Sequence, residues 1–325
     1  MVRWAPWLSG ALLLLALALI VSHESEGERL AALVRDARPG WLAVGAVLQI
    51  ATYFCAAAVW RSALRGHGLR VGVWGLVSLG LAKLFTDQAL PSAGVSGTLV
   101  VVRGLTRRGI APGLAMAAML AGLLALYAAY ATAVFAALGF LWQRGELSRV
   151  VLALATVFSL VAVAVPLGVF WLGGHAHRVP RAWLHRLPGV HDALEALGEA
   201  PRGTALGPRV VAETLALQLA IFALDAATLD AMLRAVAVRL APELVFASFM
   251  LASVVATLAW VPGGIGTFEG TCVAVLHRHG VAIEAAFAAT LLLRGLTFWL
   301  PMLPGLWLAR RELAGPSLRR AGADS

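Results

Sequence analysis

Seven long apolar runs constrain the fold of this chain more than any other feature. They cover residues 6–21, 41–60, 112–142, 147–172, 210–232, 242–260 and 281–308. A helix needs about 20 apolar residues to cross roughly 30 Å of hydrocarbon, and the runs reach or approach that length. Hydrophobic residues make up 60% of the 325 residues and charged residues only 13%, unlike a soluble globular protein. The runs therefore predict an all-α polytopic membrane protein with about eight hydrophobic segments, which form about six full transmembrane helices and two re-entrant helical hairpins.

A short motif of proline and glycine occurs twice in this apolar background, 171 positions apart. The first copy covers residues 90–97 and the second covers 261–269, which contains Pro-Gly-Gly-Ile-Gly. At the same offset Arg107 matches Arg278. Such interruptions at corresponding places in two hydrophobic halves indicate a transporter with a binding site near the membrane midplane.

Arginine-rich segments set the expected orientation of the chain. Residues 61–70, 175–209 and 310–320 are rich in arginine, whereas 22–40 is the least basic connection. Because basic loops stay in the cytoplasm, both termini are expected on the cytoplasmic side of a bacterial-type inner (plasma) membrane. Three crossings then separate the two motif copies, which gives the copies opposite orientations and predicts an inverted repeat. The net charge of +9 suits anionic lipid headgroups better than nucleic acid.

These patterns predict a single transmembrane domain over residues 1–315 and a short cytoplasmic tail at 316–325. Within the domain, we expect a first repeat at about 41–142 and a second at about 210–309. A cytoplasmic loop at 173–209 is expected to connect the repeats.

The second motif copy cannot continue a helix, because its proline lacks a backbone donor and its glycines permit positive φ. Non-helical backbone within a membrane is tolerated only against protein or a water-filled cavity. One interpretation is a kinked helix or a surface turn. The other is a re-entrant hairpin whose second helix starts near Thr267, with exposed amides that suit a lipid phosphate. Ser96 and Thr267 occupy equivalent positions and are candidate helix caps.

Three charged residues lie deep in apolar sequence, where an ionised side chain is costly without a partner. Glu269 and Arg294 are expected to pair with each other. Their pair is either a structural link that holds the hairpin or a site for a substrate headgroup or a proton. Asp225 is a second intramembrane acid candidate. Since the first motif copy has no acid of its own, we expect the chemistry at the second copy.

Other charged residues have simpler interpretations. Lys83 and Asp87 stand four residues apart and are expected to neutralise each other, and Asp230 is expected to pair with Arg234. Three arginines that follow the motifs are either phosphate contacts or snorkelling side chains, namely Arg103, Arg107 and Arg278.

Catalytic and metal-binding motifs do not stand out. There is no Gly-x-Ser-x-Gly, His-Glu-x-x-His or Walker sequence, and the histidines between 175 and 191 lack acids or cysteines at ligand spacing. Cys55 and Cys272 lie within apolar segments and are expected to be inert thiols. We therefore expect no enzymatic activity, no cofactor and no bound metal.

The second copy, followed by Gly-Val at 280–281 and by Arg294, resembles the C-terminal signature of a known family. This is the lysylphosphatidylglycerol synthase transmembrane family, also called flippase-like membrane proteins. Residues 90–97 and Arg103 resemble its N-terminal half-motif. The resemblance covers nearly the whole chain and implies movement of lipid between leaflets by a stand-alone membrane domain. Without an aminoacyl-transferase domain, such a chain is not expected to charge the lipid itself.

The expected function is therefore that of a lipid translocase for a phospholipid, an aminoacyl-phospholipid or a lipid-linked headgroup. A membrane-embedded lipid-modifying enzyme or its accessory subunit, and a small-solute secondary transporter, stay as alternatives. Expected partners are membrane lipids, with a second copy of the chain or a lipid-modifying enzyme as protein partners. The expected lipid path is lined by Pro91, Ser96, Gly97, Arg103, Asp225, Pro262, Gly263, Gly264, Gly266, Thr267, Glu269 and Arg294.

Overall fold

The computed structural model describes residues 35–89, 95–175, 207–259 and 261–314, and the regular elements in these ranges are helical. The expected first helix at 6–21, Pro91, most of the loop at 173–209 and the tail at 316–325 lie outside them. The helices are α1 (Pro39–Gly66), α2 (Val73–Ala89), α3 (Val95–Arg107), α4 (Pro112–Gln143), α5 (Arg149–His175), α6 (Pro208–Ala235), α7 (Pro242–Leu258), α8 (Thr267–Arg278), α9 (Ile283–Arg294) and α10 (Leu300–Ala314). A 3₁₀ turn at Pro262–Gly264 precedes α8, and a π-helical turn at Gly295–Trp299 joins α9 to α10.

Five stretches of the described chain are long and apolar enough to cross a membrane. They are α1, α4, residues Arg149–Gly168 of α5, α6, and the continuous stretch Ile283–Glu312. Large apolar side chains are exposed on several of them, as at Val47, Phe135 and Leu160, which suits contact with lipid. The predicted all-α membrane fold is confirmed in these ranges.

The helices that flank the motif copies are short and form two helical hairpins. In the first hairpin α2 packs against α3, and in the second α7 packs against α8. Their lengths are 17, 13, 17 and 12 residues in chain order. The prediction that the second helix starts near Thr267 is confirmed.

The described chain divides into two compact units, each of which contains one hairpin. Unit 1 contains the described residues of 1–55, 127–164 and 218–300, and so includes α7, α8 and α9. Its buried side chains include an aromatic group in which the Tyr130 ring lies 4.3 Å from that of Phe158 and 4.9 Å from that of Phe222.

Unit 2 contains the described residues of 56–126 and 165–217, together with 301–314. Fully buried side chains from α1, α2, α3 and α4 form its core, among them Leu64, Leu79, Leu105 and Ala118. A smaller cluster joins Ala82 and Val100 to Ala309 of α10. The last helix is therefore part of the same packed unit as the first hairpin.

The π-helical turn between α9 and α10 has a local cause. Pro301 follows it and has no N–H to offer the carbonyl four residues earlier, so the regular ladder cannot continue there. A π-helical turn accommodates the proline because its hydrogen bonds join residues five apart, and the amide of Leu300 accordingly bonds the carbonyl of Gly295. As a result, the backbone just after Arg294 is irregular within an otherwise long helix.

Gly305 allows α10 to pack closely on α2 in unit 2, and we expect its replacement by alanine to be destabilising. A Cβ at this position would lie 2.7 Å from the Leu81 carbonyl oxygen and 2.8 Å from the Phe85 Cβ. Overpacking of this kind costs about 1–3 kcal/mol. The melting temperature in detergent, followed by tryptophan fluorescence, should fall for Gly305→Ala. Gly139→Ala is the control, since a Cβ there meets nothing within 4 Å; equal melting temperatures for the two variants would contradict the packing.

Candidate functional site

The Pro-Gly-Gly-Ile-Gly turn of unit 1 has a backbone that requires glycine at three places. Gly263, Gly264 and Gly266 have φ of 66°, 61° and 82°, in the left-handed region that side chains disfavour. The turn begins with Pro262, and the Gly264 amide donates to the Val261 carbonyl at 2.8 Å. The chain thus reverses sharply between α7 and α8 without a helical hydrogen-bond ladder.

Glu269 lies in the first turn of α8 and caps the N-terminus of that helix. Its Oε2 accepts a hydrogen bond of 2.6 Å from the amide of Gly266, the residue just before α8. Its Oε1 accepts a second bond of 2.6 Å from Nε of Arg294. The Glu269 side chain is 8% exposed and that of Arg294 is 11% exposed, so the ion pair is buried. The predicted pairing of these two residues is confirmed.

Arg294 connects the turn to α9 through three kinds of contact. Besides its bond to Glu269, its Nη2 donates to the Gly263 carbonyl at 2.6 Å. Its guanidinium also lies 4.4 Å from the ring centre of Phe298 and 5.4 Å from that of Phe268, within the range of cation–π attraction. One arginine side chain therefore fixes the turn, the first turn of α8 and the π-helical turn together.

The structure corrects two expectations about this helix end. The cap position is Gly266 and not Thr267, whose hydroxyl instead donates to the Gly264 carbonyl at 3.0 Å. The Gly266 amide is also not open to an external anion, because Glu269 already occupies it. The negative charge that favours the positive end of a helix is therefore supplied here by the chain itself.

The hairpin of unit 2 has a comparable arrangement built from different chain positions. Oδ1 of Asp87, at the end of α2, accepts a hydrogen bond of 3.0 Å from the Gly97 amide at the start of α3. Its Oδ2 pairs with Lys83, as expected from the sequence. A Cβ at Gly97 would overlap the Asp87 carboxylate, and the Ser96 hydroxyl donates to the Thr86 carbonyl at 3.4 Å. The first copy has no acid of its own, as expected, but Asp87 on the preceding helix supplies a carboxylate to the start of α3.

Comparison with known families now identifies the chain. A family model described as the lysylphosphatidylglycerol synthase TM region matches residues 7–305. The chain belongs to this family. Membership places it among integral membrane proteins involved in lipid headgroup metabolism or translocation, and confirms the resemblance drawn from the motif residues. A search of the curated proteins finds no significant match.

Elsewhere in this family member, Asp225 lies on α6 and faces α1 within unit 1. The Thr52 hydroxyl approaches its Oδ1 at 3.5 Å. One residue further along α1, the Tyr53 hydroxyl donates at 3.2 Å to the Leu296 carbonyl in the π-helical turn. The structure therefore joins α1 to both Asp225 and the backbone next to Arg294, which the sequence did not predict.

Several other charged residues have local partners. Asp230 pairs with Arg234 at 2.7 Å, as predicted. Arg107 donates to the Glu312 carbonyl, and Arg108 pairs with the Glu312 carboxylate at 2.7 Å, so both arginines hold α3 to α10 in unit 2. Arg103 is exposed on α3 and Arg278 at the end of α8.

Several contacts of the site match a spacing in the sequence that becomes recognisable only once the structure is known. Asp87 stands ten residues before Gly97, which suits a hairpin contact across a short connection. Phe298 stands four residues after Arg294, the spacing at which helical side chains meet. Tyr53 has no comparable signal, because its partner is a backbone carbonyl far away in sequence.

Proposed function

We propose that this protein moves a lipid with a phosphate-containing headgroup, including an aminoacylated one, between the two leaflets of the membrane. The observation that carries the proposal is the buried Glu269–Arg294 pair, which holds a non-helical glycine turn in an apolar chain. Family membership supports a role in lipid headgroup metabolism or translocation. Irregular backbone and buried charge in a membrane typically mark a substrate or ion pathway.

The lengths of the hairpin helices support a re-entrant arrangement. At about 1.5 Å per residue, a 17-residue helix spans roughly 25 Å and a 12-residue helix roughly 18 Å, both less than the hydrocarbon thickness of about 30 Å. In this proposal each hairpin enters and leaves the membrane on one side. In this proposal the two copies have opposite orientations and both termini lie in the cytoplasm, an arrangement that the arginine-rich segments favour.

Arg294 supplies the chemistry that an anionic headgroup needs. Its guanidinium is permanently charged and offers paired N–H donors that match the oxygens of a phosphate. A guanidinium has five N–H donors, so one arginine can bind two anions at once and leave neither buried charge alone. We propose that a lipid phosphate binds Arg294 beside the Glu269 carboxylate, which keeps its bonds to Arg294 and to the Gly266 amide.

Reconstitution into vesicles tests this function. Vesicles of phosphatidylethanolamine and phosphatidylglycerol would carry fluorescent phosphatidylglycerol or lysyl-phosphatidylglycerol, with dithionite added outside to bleach the outer leaflet. We expect the wild-type protein to expose the inner-leaflet probe, and Glu269→Gln with Arg294→Gln to reduce the rate at least tenfold. The paired replacement avoids leaving a single buried charge.

Arg239→Gln is the matched control, because Arg239 is exposed between α6 and α7 and lies outside the turn. It should retain the wild-type rate. A wild-type protein that bleaches no probe beyond protein-free vesicles, or a double variant with the wild-type rate, would refute the proposal. Chemical change of the headgroup by the purified protein, seen by mass spectrometry, would favour the lipid-modifying enzyme instead.

A further inference from the structure

A group of polar side chains lies between α1 and α6 in unit 1, separate from the glycine turn. Asp225 stands 17 residues into the apolar helix α6. Thr52 and Gln49, one turn apart on α1, both lie within hydrogen-bonding reach of its carboxylate. Gln49 is 5% exposed and Thr52 is 6% exposed, so the two residues are buried.

Two features of this group of side chains indicate a binding site for a positive charge. Among the described residues no basic side chain lies within ion-pair distance of Asp225, since Arg234 pairs with Asp230 and Arg294 with Glu269. An uncompensated carboxylate in a membrane is costly. In addition, the buried Oε1 of Gln49 has no hydrogen-bond donor within the described part of the chain. A buried acceptor without a donor is likewise unfavourable.

We propose that Asp225, Gln49 and Thr52 bind one monovalent cation, either a proton or a sodium ion. Such a cation neutralises the carboxylate and gives the orphaned Gln49 oxygen a partner. Carboxylate, amide and hydroxyl oxygens are also the hard ligands that an alkali cation prefers. A single carboxylate matches a single positive charge. Within the described residues, and besides the charged pairs already named, the titratable group that faces Asp225 is the Tyr53 hydroxyl.

The same helix, α1, links the proposed cation site to the backbone next to the glycine turn. Tyr53 follows Thr52 directly, and its hydroxyl donates to the Leu296 carbonyl, two residues after Arg294. A Cβ at Gly45 on α1 would also crowd Leu296, so α1 and the π-helical turn are in close contact. A change in the charge at Asp225 can therefore reach the backbone that positions Arg294. This coupling rests on the proposed lipid translocation, whereas the cation site itself does not.

Thermal unfolding of the purified full chain tests the site without any transport assay. The melting temperature would be measured in sodium chloride and in choline chloride of equal ionic strength, from pH 5.5 to pH 8.5. A cation that binds the folded state better than the unfolded state raises the melting temperature as its concentration rises. For a sodium site we expect a rise with sodium. For a proton site we expect a rise as pH falls in choline chloride, because the folded chain holds a proton that the unfolded chain has lost.

Asp225→Asn should abolish whichever response the wild type shows, because an amide has no charge to neutralise. Asp230→Asn is the matched acid on the same helix and should keep the response. If Asp225→Asn does not fold, Gln49→Leu retains the carboxylate but removes one oxygen. It should raise the half-saturating sodium concentration at least tenfold, or move the pH midpoint by at least one unit. A wild type that responds to neither ion, or an unchanged response in these variants, would overturn the proposal.

Tyr53→Phe tests the coupling, since it removes the hydroxyl that donates to the Leu296 carbonyl and leaves the three proposed cation ligands in place. The same hydroxyl also bonds the Gln49 side chain, so the melting experiment must first show that the cation site is intact in this variant. The variant should keep the cation response of the melting temperature, while vesicle translocation loses its dependence on a sodium or pH gradient. Translocation that still follows the gradient would contradict the coupling. Absence of translocation in the wild type would refute the proposed function and leave the melting result as an independent measure of the cation site.

Discussion

Replacing Arg294 by alanine is expected to lower the free energy of unfolding by about 3–5 kcal/mol, because the buried Glu269 carboxylate then loses its charge partner. The variant also loses the bond to the Gly263 carbonyl and the contact with the Phe298 ring. Unfolding in detergent by titration with sodium dodecyl sulfate, followed by tryptophan fluorescence, would measure the change.

A second substitution separates the structural role of the pair from its role in transport. Adding Glu269→Gln to Arg294→Ala removes the uncompensated charge and should restore most of the lost stability. If the folded double variant still moves no lipid, the arginine acts on the substrate and not only on the fold. A double variant no more stable than Arg294→Ala would show that the unpaired carboxylate is not the cause. Normal transport by the double variant would show that the pair has only a structural role.

Unit 2 provides a natural comparison for this effect. The side chains of Lys83 and Asp87 are 26% and 23% exposed, so this pair is less buried than the pair of Glu269 and Arg294. Lys83→Ala should therefore cost about 1 kcal/mol or less, as for other partly exposed ion pairs. The two hairpins make similar contacts, but the deeper burial of the pair in unit 1 makes the loss of one partner there cost more stability.

The sequence predicted the features that the membrane itself imposes. Long apolar runs became long helices because lipid leaves a backbone few alternatives to helical hydrogen bonding. The start of α8 at Thr267 followed from the inability of Pro-Gly-Gly-Ile-Gly to continue a helix. The pairing of Glu269 with Arg294 followed from the cost of leaving either charge alone in apolar sequence.

The contacts that the sequence did not predict depend on three-dimensional packing. At the repeat offset, the position that corresponds to Glu269 carries no acid in the first copy, and Asp87 reaches the amide from the preceding helix instead. Thr267 has a typical capping side chain, but the positive φ of Gly266 and the reach of Glu269 move the cap one residue earlier. What the two copies share is a paired carboxylate that binds the amide at the start of the second helix, and not a residue at a fixed position.

Gly264→Ala is expected to lower the free energy of unfolding by about 2–5 kcal/mol and to reduce lipid transport with it. A left-handed backbone costs roughly 1–2 kcal/mol for a residue with a side chain, and overpacking adds about 1–3 kcal/mol. Both apply here, because Gly264 has φ of 61° and its Cβ would lie 2.7 Å from the Ala256 Cβ on α7. The same detergent unfolding experiment measures the loss.

Two further variants divide this cost into its parts. Gly270→Ala, in the helical first half of α8 with nothing within 4 Å of its Cβ, should leave stability unchanged or raise it by about 0.5–1 kcal/mol. Ala256→Gly added to Gly264→Ala removes the clash but keeps the unfavourable φ, so it should restore only the overpacking part of the loss. Equal stabilities for Gly264→Ala and Gly270→Ala would mean that the turn does not hold the left-handed backbone on which the Arg294 contact to Gly263 depends. Full recovery in the double variant would assign the entire cost to the contact between α7 and the turn.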